Sequence, residues 1–475
     1  PCMASCPAHV DVPGYVSLVK EGKYEEAVAL IRKDNPFPSV CGYVCEHPCE
    51  KSCRRNMVDD AVNICGIKRF AVDHKSEDLR LRQAEPTGKR IAVVGGGPGG
   101  LTAAYYLSLM GHSVTVYEQR DSLGGMLRYG IPDYRLPQDV LDADIRFILD
   151  VGIEVKLGTN VGEEIAVEDL KKQYDAVYLS IGAHDDRKLG IEGEDAKNVV
   201  PAVSMLREIG EGNKPDLTGK RVCVIGGGNV AMDATRTALR LGAKEVTCVY
   251  RRRIADMTAL SEEIEEAQAE GGRILTLYAP EYIEKDEAGA VAALWVQPQI
   301  IGSIGRDGRP SVSGADAEPA RLACDYIVVA IGQSIHSRPF EESGMQTRRG
   351  AFTAERSSYV PGSGNVFAGG DAVSGPATVI LAVAAGKVAA DNIDDFLGFD
   401  HKISTDITIP NPTRANYPPC GRVNLRAKQD GAIVGNFDLV SEGMTDEEAR
   451  QECSRCLRCD QFGFGSFRKG RVMEW

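Results

Sequence analysis

Arg90-Ile91-Ala92-Val93-Val94-Gly95-Gly96-Gly97-Pro98-Gly99-Gly100-Leu101 is the stretch that decides the fold. Ile91–Val94 is a short apolar run of the kind a strand buried on both faces shows. Glycines follow at once, and Leu101–Met110 continues with the apolar spacing of a helix. Ser113–Tyr117 reads as a second strand, closed by Glu118. Strand, glycine turn, helix and strand make a βαβ unit. In Gly95-x-Gly97-x-x-Gly100 the first glycine makes the turn and the second lets backbone approach a pyrophosphate. The third lets helix and strand pack closely. The diphosphate then meets free N–H groups at a helix N-terminus, and Glu118 stands where an acid accepts ribose hydroxyls.

The plan recurs about 130 residues later in Arg221–Ile225, Ala231–Leu241 and Glu245–Tyr250. The second loop is Gly226-x-Gly228-x-x-Ala231, and its second strand runs into Arg251-Arg252-Arg253 instead of an acid. An acid there suits the free ribose of NAD, whereas arginine suits the 2′-phosphate of NADP. Further on, Val366-Phe367-Ala368-Gly369-Gly370-Asp371 precedes Gly375-Pro376 and an Ala-rich helix, Thr378–Ala390. A strand ending in Gly-Asp places Asp371 on a flavin's ribityl chain. It also aims the next helix N-terminus at the flavin ring, where the dipole favours negative charge. The first unit thus reads as an FAD site and the second as an NADP(H) site.

Two such units fit a chain of 475 residues, which is long enough for about three domains. A net charge of -13 argues against nucleic acid and against an anionic membrane surface. No apolar run approaches the roughly 18 residues of a spanning helix, and the N-terminus has no signal-peptide core, so the cytoplasm is the expected location. Fourteen cysteines are present, seven within residues 1–65 and four within residues 420–475. Clustered in this way, without a secretory signal, they read as metal or redox ligands. Cys223, Cys248 and Cys324 lie in buried-strand patterns and read as packing residues.

The expected fold class is α/β. Two Rossmann-like dinucleotide-binding domains are preceded by an α-helical iron–sulfur domain and followed by a short Cys-rich tail. The division reads 1–84 for the helical domain, 85–200 for the first part of the FAD domain and 201–322 for the NAD(P) domain. The second part of the FAD domain is 323–400, and the tail is 401–475.

The sequence resembles the small (β) subunit of bacterial glutamate synthase and its relatives. These relatives include the large subunit of electron-bifurcating NADH-dependent ferredoxin:NADP oxidoreductase and the N-terminal part of dihydropyrimidine dehydrogenase. The resemblance covers roughly residues 1–400 and is carried by Asn35-Pro36-Phe37-Pro38, Cys41-Gly42-x-Val44-Cys45, Pro48-Cys49-x-x-x-Cys53 and the Gly95–Gly100 loop. It continues through Ser122-Leu123-Gly124-Gly125-Met126-Leu127-x-Tyr129-Gly130-Ile131-Pro132, Gly226–Asp233, Val249-Tyr250-Arg251-Arg252, Ala330-Ile331-Gly332-Gln333 and Gly369-Gly370-Asp371. It implies FAD in the first domain, NADP(H) in the second and 4Fe-4S clusters in the helical domain. Glu118, Gly125 and Asp371 are expected on FAD, and Arg251 and Arg252 on the 2′-phosphate. The full cofactor-binding set expected is Gly95, Gly97, Pro98, Gly99, Gly100, Glu118, Gln119, Gly125, Met126, Gly182, Gly226, Gly228, Asn229, Val230, Ala231, Arg251, Arg252, Gly332, Gly370, Asp371 and Thr378.

By the same resemblance, Cys2 and Cys53 are ligands of a first cluster, whose other two come from a Cys-x-x-Cys pair upstream of the position matching Cys2. Cys6, Cys45 and Cys49 belong to a second. Its fourth ligand in the family, Gln or Glu, falls at Lys68, whose ammonium cannot ligate iron, which leaves Cys41 or Cys65. In the tail, Cys453-x-x-Cys456-x-x-Cys459 with Cys420 reads as a third iron–sulfur site, with a zinc site or a partner-completed group as alternatives. One to three clusters are therefore expected.

Hydride transfer between nicotinamide and flavin needs no protein acid or base, so no catalytic residue is assigned. The expected path runs from NADPH through FAD and clusters to a partner subunit of a redox complex, with bifurcating and glutamate-forming complexes both open. A disulfide reductase would need a cysteine pair beside the flavin, and Ser122–Pro137 contains none. A non-catalytic assembly or sensor flavoprotein is the remaining alternative.

Overall fold

The computed structural model describes residues 1–305, 308–412, 420–428 and 433–461. It opens with short helices, Cys2–Ser5, Val12–Lys20, Tyr24–Arg32, Pro38–Tyr43, Pro48–Lys51 and Ile64–His74. Proline sets several starts: Pro13, Pro38 and Pro48 sit in first turns, where the missing N–H costs nothing. Asp11 and Asn63 cap Val12–Lys20 and Ile64–His74 by accepting from Gly14 and Gly66.

Two parallel five-stranded sheets follow. The first runs 366–368, 176–179, 90–94, 113–117, 154–156 in order across the sheet. The second runs 199–201, 326–330, 221–226, 245–250, 273–276. Ile91, Val93, Val116, Val177, Val224 and Val328 are all buried, as strands covered on both faces require. Strand Val366–Ala368 returns to the first sheet beside Ala176–Leu179, so the second unit is inserted within the first.

One placement departs from the sequence reading. Tyr326–Ala330 pairs with Arg221–Gly226 and Val199–Pro201 in the second sheet, whereas the sequence division put 323–400 with the first unit. Apolar runs identify a buried strand but not its partner. An antiparallel sheet of Tyr278–Lys285, Val291–Ile304, Pro310–Gly314 and Ala320–Ala323 flanks the second unit. Helix Val379–Phe396 packs along Pro98–Leu109, and the tail helix Asp446–Ser454 packs on Val12–Lys20 and Ile64–His74. No described helix is long and apolar enough to cross a membrane.

Candidate functional site

The first glycine loop is held by contacts only glycine permits. Gly95 has φ +107, and a Cβ there would stand 2.3 Å from the Ser180 carbonyl oxygen. Gly97 and Gly125 face one another, a Cβ on Gly125 coming 2.9 Å from the Gly97 Cα. Glu118 ends its strand with both carboxylate oxygens engaged: Gly96 N–H donates at 2.8 Å and Arg120 N–H at 2.9 Å. Burial pushes its carboxyl up, against those two donors.

Around this loop lies a cavity of about 320 Å³. Its walls include Gly95, Gly97, Pro98, Gly99, Glu118, Gln119, Gly125, Met126, Gly182, Gly370 and Asp371. Gly100 sits one turn behind, packed on Gly95. Burial raises the Asp371 carboxyl to about 6, opposed by the Ala377 N–H. Facing glycines without side chains, a helix N-terminus and a buried acid fit a dinucleotide diphosphate and its hydroxyl-bearing chain.

The second loop borders a larger cavity of about 900 Å³. Gly226, Gly228, Asn229, Val230, Arg251, Arg252, Gly332 and Thr378 line it, while Ala231 is buried behind. Gln333 adds a buried amide nitrogen, Nε2, that lacks a hydrogen-bond partner. The three arginines are not equivalent. Arg252 donates from Nε to the Pro310 carbonyl at 2.7 Å. Arg253 turns away to pair with Asp256, its Nε 2.8 Å from Oδ2. Arg251 remains on the wall, joined by Arg187, Lys188 and Arg309. Sequence reading missed these three cations, because none follows a motif and the hairpin carrying Arg309 reaches the cavity from another sheet.

Two short stretches of chain link the cavities: Asp185 borders the first and Asp186 the second, and Asp371 borders the first and Thr378 the second. Glu46, which follows Cys45, also lines the second cavity and accepts from Asn229 Nδ2 at 3.0 Å.

The N-terminal helices bring two groups of cysteines together. In one, the Cys45 thiol lies between those of Cys41 and Cys65, with Cys49 next to Cys65. Donation from Cys41 and Cys65, aided by Lys68, holds Cys45 well below the usual thiol range. Burial opposes the charge on Lys68, but the surrounding Cys65, Cys41, Cys45 and Cys49 outweigh it and keep the ammonium protonated. Cys6 lies on the Cys49 side, with the Val10 and Ala8 N–H groups directed at its sulfur. Cys41 and Cys65 thus both stand beside Cys45.

In the other group, Cys2 neighbours Cys456, Cys49 and Cys53, and Cys459 neighbours Cys53. Within the tail, Cys456 neighbours both Cys453 and Cys459. Cys453 is buried on the tail helix, and Cys420 is tied in through its carbonyl, which accepts from Arg455 Nε at 3.2 Å. Among the described residues no three cysteine sulfurs lie within 4.8 Å of one another, the closeness a single tetrahedral zinc demands.

Comparison with known proteins agrees with this architecture. Residues 89–386 match the pyridine nucleotide-disulphide oxidoreductase family. Residues 1–79 match dihydropyrimidine dehydrogenase domain II, 4Fe-4S cluster. The chain is 35% identical to the NADP(+)-dependent formate dehydrogenase subunit beta of Moorella thermoacetica, over 98% of this chain and 71% of that one. It is 35% identical to the NADPH-Fe(3+) oxidoreductase subunit beta of Geobacter sulfurreducens, over 97% and 75%. Against the glutamate synthase (NADPH) small chain of Escherichia coli it is 33% identical, over 83% and 88%. Among solved structures, FprA from Mycobacterium tuberculosis superposes with a TM-score of 0.58 at 22% identity, covering 66% of this chain and 85% of that one, which speaks for the fold.

Fold and site together define an oxidoreductase that uses FAD, a pyridine nucleotide and 4Fe-4S clusters. The chain belongs to the pyridine nucleotide-disulphide oxidoreductase family, in the glutamate synthase small-chain-like group that carries an N-terminal iron–sulfur domain. Its fourteen cysteines are all free.

Proposed function

We propose that this chain moves hydride between NADP(H) and FAD and passes electrons singly to or from a partner subunit through its clusters. The adjacency of the two cavities carries the reading. Asp185 and Asp371 border the first and Asp186 and Thr378 the second, so the two glycine loops open onto spaces linked by the same two short stretches of chain. Flavin supplies the exchange between a two-electron hydride and single electrons. The protein supplies placement. Gly97 and Gly125 would seat the FAD diphosphate, Glu118 a ribose, and Asp371 the ribityl chain. Gly226, Gly228, Asn229 and Val230 would seat the second nucleotide.

Arg251, with Arg309 and Lys188 on the same wall, favours NADP(H), since a 2′-phosphate needs cations rather than an acid. Cys6, Cys45 and Cys49 with Cys41 or Cys65 would hold one cluster. The Lys387 ammonium, on the helix whose Ala382 lines the first cavity, donates to the Ala8 carbonyl at 3.3 Å. One helix thereby spans from the flavin cavity to the Cys6 segment. Two relatives are named subunits beta of NADP-dependent enzymes, which supports a partner subunit in a larger redox complex. Cysteines that serve as metal ligands suit the reducing cytoplasm.

Anaerobic titration with NADPH tests the reading. Stoichiometric bleaching of the flavin absorbance, much faster than with NADH, is expected. No bleaching by either nucleotide would refute it, and equal rates would remove the NADP preference.

A further inference from the structure

We propose that Gln333 holds the nicotinamide half of the bound NADP(H), donating from its side-chain amide to an oxygen of the nicotinamide riboside. The inference rests on the NADP(H) reading of the second cavity and adds the residue that orients the reacting end of the nucleotide there.

The sheet decides which half of the nucleotide meets Gln333. Strand Arg221–Gly226, which ends in the second glycine loop, has Tyr326–Ala330 on one side and Glu245–Tyr250 on the other, all parallel. Their carboxyl ends therefore share one edge of the sheet, and a dinucleotide lies across that edge with its diphosphate at the central loop. Arg251 follows Glu245–Tyr250 and draws the 2′-phosphate, and with it the adenosine half, to that side. The nicotinamide half falls on the side of Tyr326–Ala330, whose chain continues through Gly332 and Gln333 on the cavity wall.

Gln333 is 8% exposed, and its Nε2 has no hydrogen-bond partner among the described residues. A buried N–H is seldom left unpaired, because it has given up water without gaining a partner. Acceptors on the same wall are committed elsewhere. Asp186 accepts from the Ser204 hydroxyl at 2.7 Å, Glu46 from Asn229 Nδ2 at 3.0 Å, and Asn229 Oδ1 from the Leu260 N–H at 2.9 Å. The main chain fixes the residue. Gln333–Ser334 pairs antiparallel with Asp185–Asp186, and Gly332, at φ +115, makes the bend from the strand into that pair. A donor fixed in this way suits an acceptor that arrives with the ligand, and the nicotinamide riboside brings carboxamide and ribose oxygens. Three residues on, His336 lines the first cavity. Gln333 thus holds the hydride-bearing ring where the chain passes from the nucleotide space to the flavin space.

Isothermal titration calorimetry on the oxidised, flavin-loaded chain, with NADP+ and with 2′,5′-ADP, tests the assignment. The second ligand carries the adenosine and the 2′-phosphate but no nicotinamide. Gln333→Met, close in shape and without a donor, is expected to weaken NADP+ binding about tenfold and to leave that of 2′,5′-ADP unchanged. Gln333→Glu, which keeps the shape and exchanges the N–H for an acceptor, should lose as much, and it gives the same reading if Gln333→Met fails to retain flavin. Unchanged affinity for NADP+ in both variants would overturn the assignment, since the amide would then contact nothing on the nucleotide. Equal weakening of the two ligands would also overturn it, since the loss would come from a distorted cavity and not from the nicotinamide half. A wild type that bound neither ligand would instead remove the NADP(H) reading, and this inference with it.

Discussion

A Cβ placed on Gly100 would stand 1.9 Å from the carbonyl oxygen of Gly95. No side chain can move to relieve that clash, because both partners are backbone. Gly100→Ala is therefore expected to open the strand–helix packing and destabilise the protein by about 3 kcal/mol, with little flavin retained on purification. Gly97→Ala makes the useful contrast. Its Cβ would meet nothing nearer than the Gly125 Cα at 3.8 Å, so folding is expected to survive. The methyl would instead enter the diphosphate cradle, weakening FAD binding by tenfold or more, which is about 1.4 kcal/mol. Thermal unfolding and flavin stoichiometry measured side by side separate the two outcomes.

Arg251 faces the second cavity, while Arg253 is committed to Asp256. Arg251→Ala is expected to raise the KM for NADPH about 10- to 100-fold and to leave that for NADH nearly unchanged. Arg253→Ala should alter neither by much. Steady-state kinetics with both nucleotides checks this, and an equal effect of the two substitutions would refute the assignment.

Lys68 is a buried cation among Cys65, Cys41, Cys45 and Cys49. A fixed positive charge beside a cluster favours its reduced, more negative state. Lys68→Met should lower the midpoint potential of that cluster by on the order of 100 mV, the size a unit charge at this range supplies. Redox titration followed by EPR would show it. An unchanged potential with iron fully retained would rule out a role for this charge.

Asp144 is fully buried between the helical layer and the first sheet, accepting from Ser39 Oγ at 2.9 Å and the Val40 N–H at 3.0 Å. Burial raises its carboxyl to about 6, although Arg32 and these donors oppose the rise. A carboxyl raised on folding binds its proton more tightly in the folded state. Its contribution is therefore full below about 3.8 and is lost as pH climbs to about 6. Asp144→Asn lacks this dependence, so its stability should gain on the wild type by roughly 3 kcal/mol between pH 4 and pH 7. Denaturant unfolding of both proteins across that window tests the sign as well as the size.

Both glycine loops were legible in the sequence, and so were their flanking strands. A strand buried on both faces is a continuous apolar run, and a loop that must approach backbone so closely is written in glycine. Ser113–Tyr117 and Glu245–Tyr250 have in the structure the bounds read from sequence. Partnership was not legible. Tyr326–Ala330 is plainly a strand, yet nothing in its residues says that it lies beside Arg221–Gly226. The tail cysteines stand out by their spacing, but where their segment docks, across almost 400 residues, is set by Glu452 and Arg455. Arg309 lay outside any motif for the same reason.

The distance along the chain between Asn63 and Glu452, which accepts from its N–H, also has a consequence in time. At about 5–20 residues per second, a ribosome needs on the order of half a minute to travel from one to the other. Throughout that interval the helices Val12–Lys20 and Ile64–His74 stand without the tail helix that packs on them, and the apolar surface it covers is open to wrong partners.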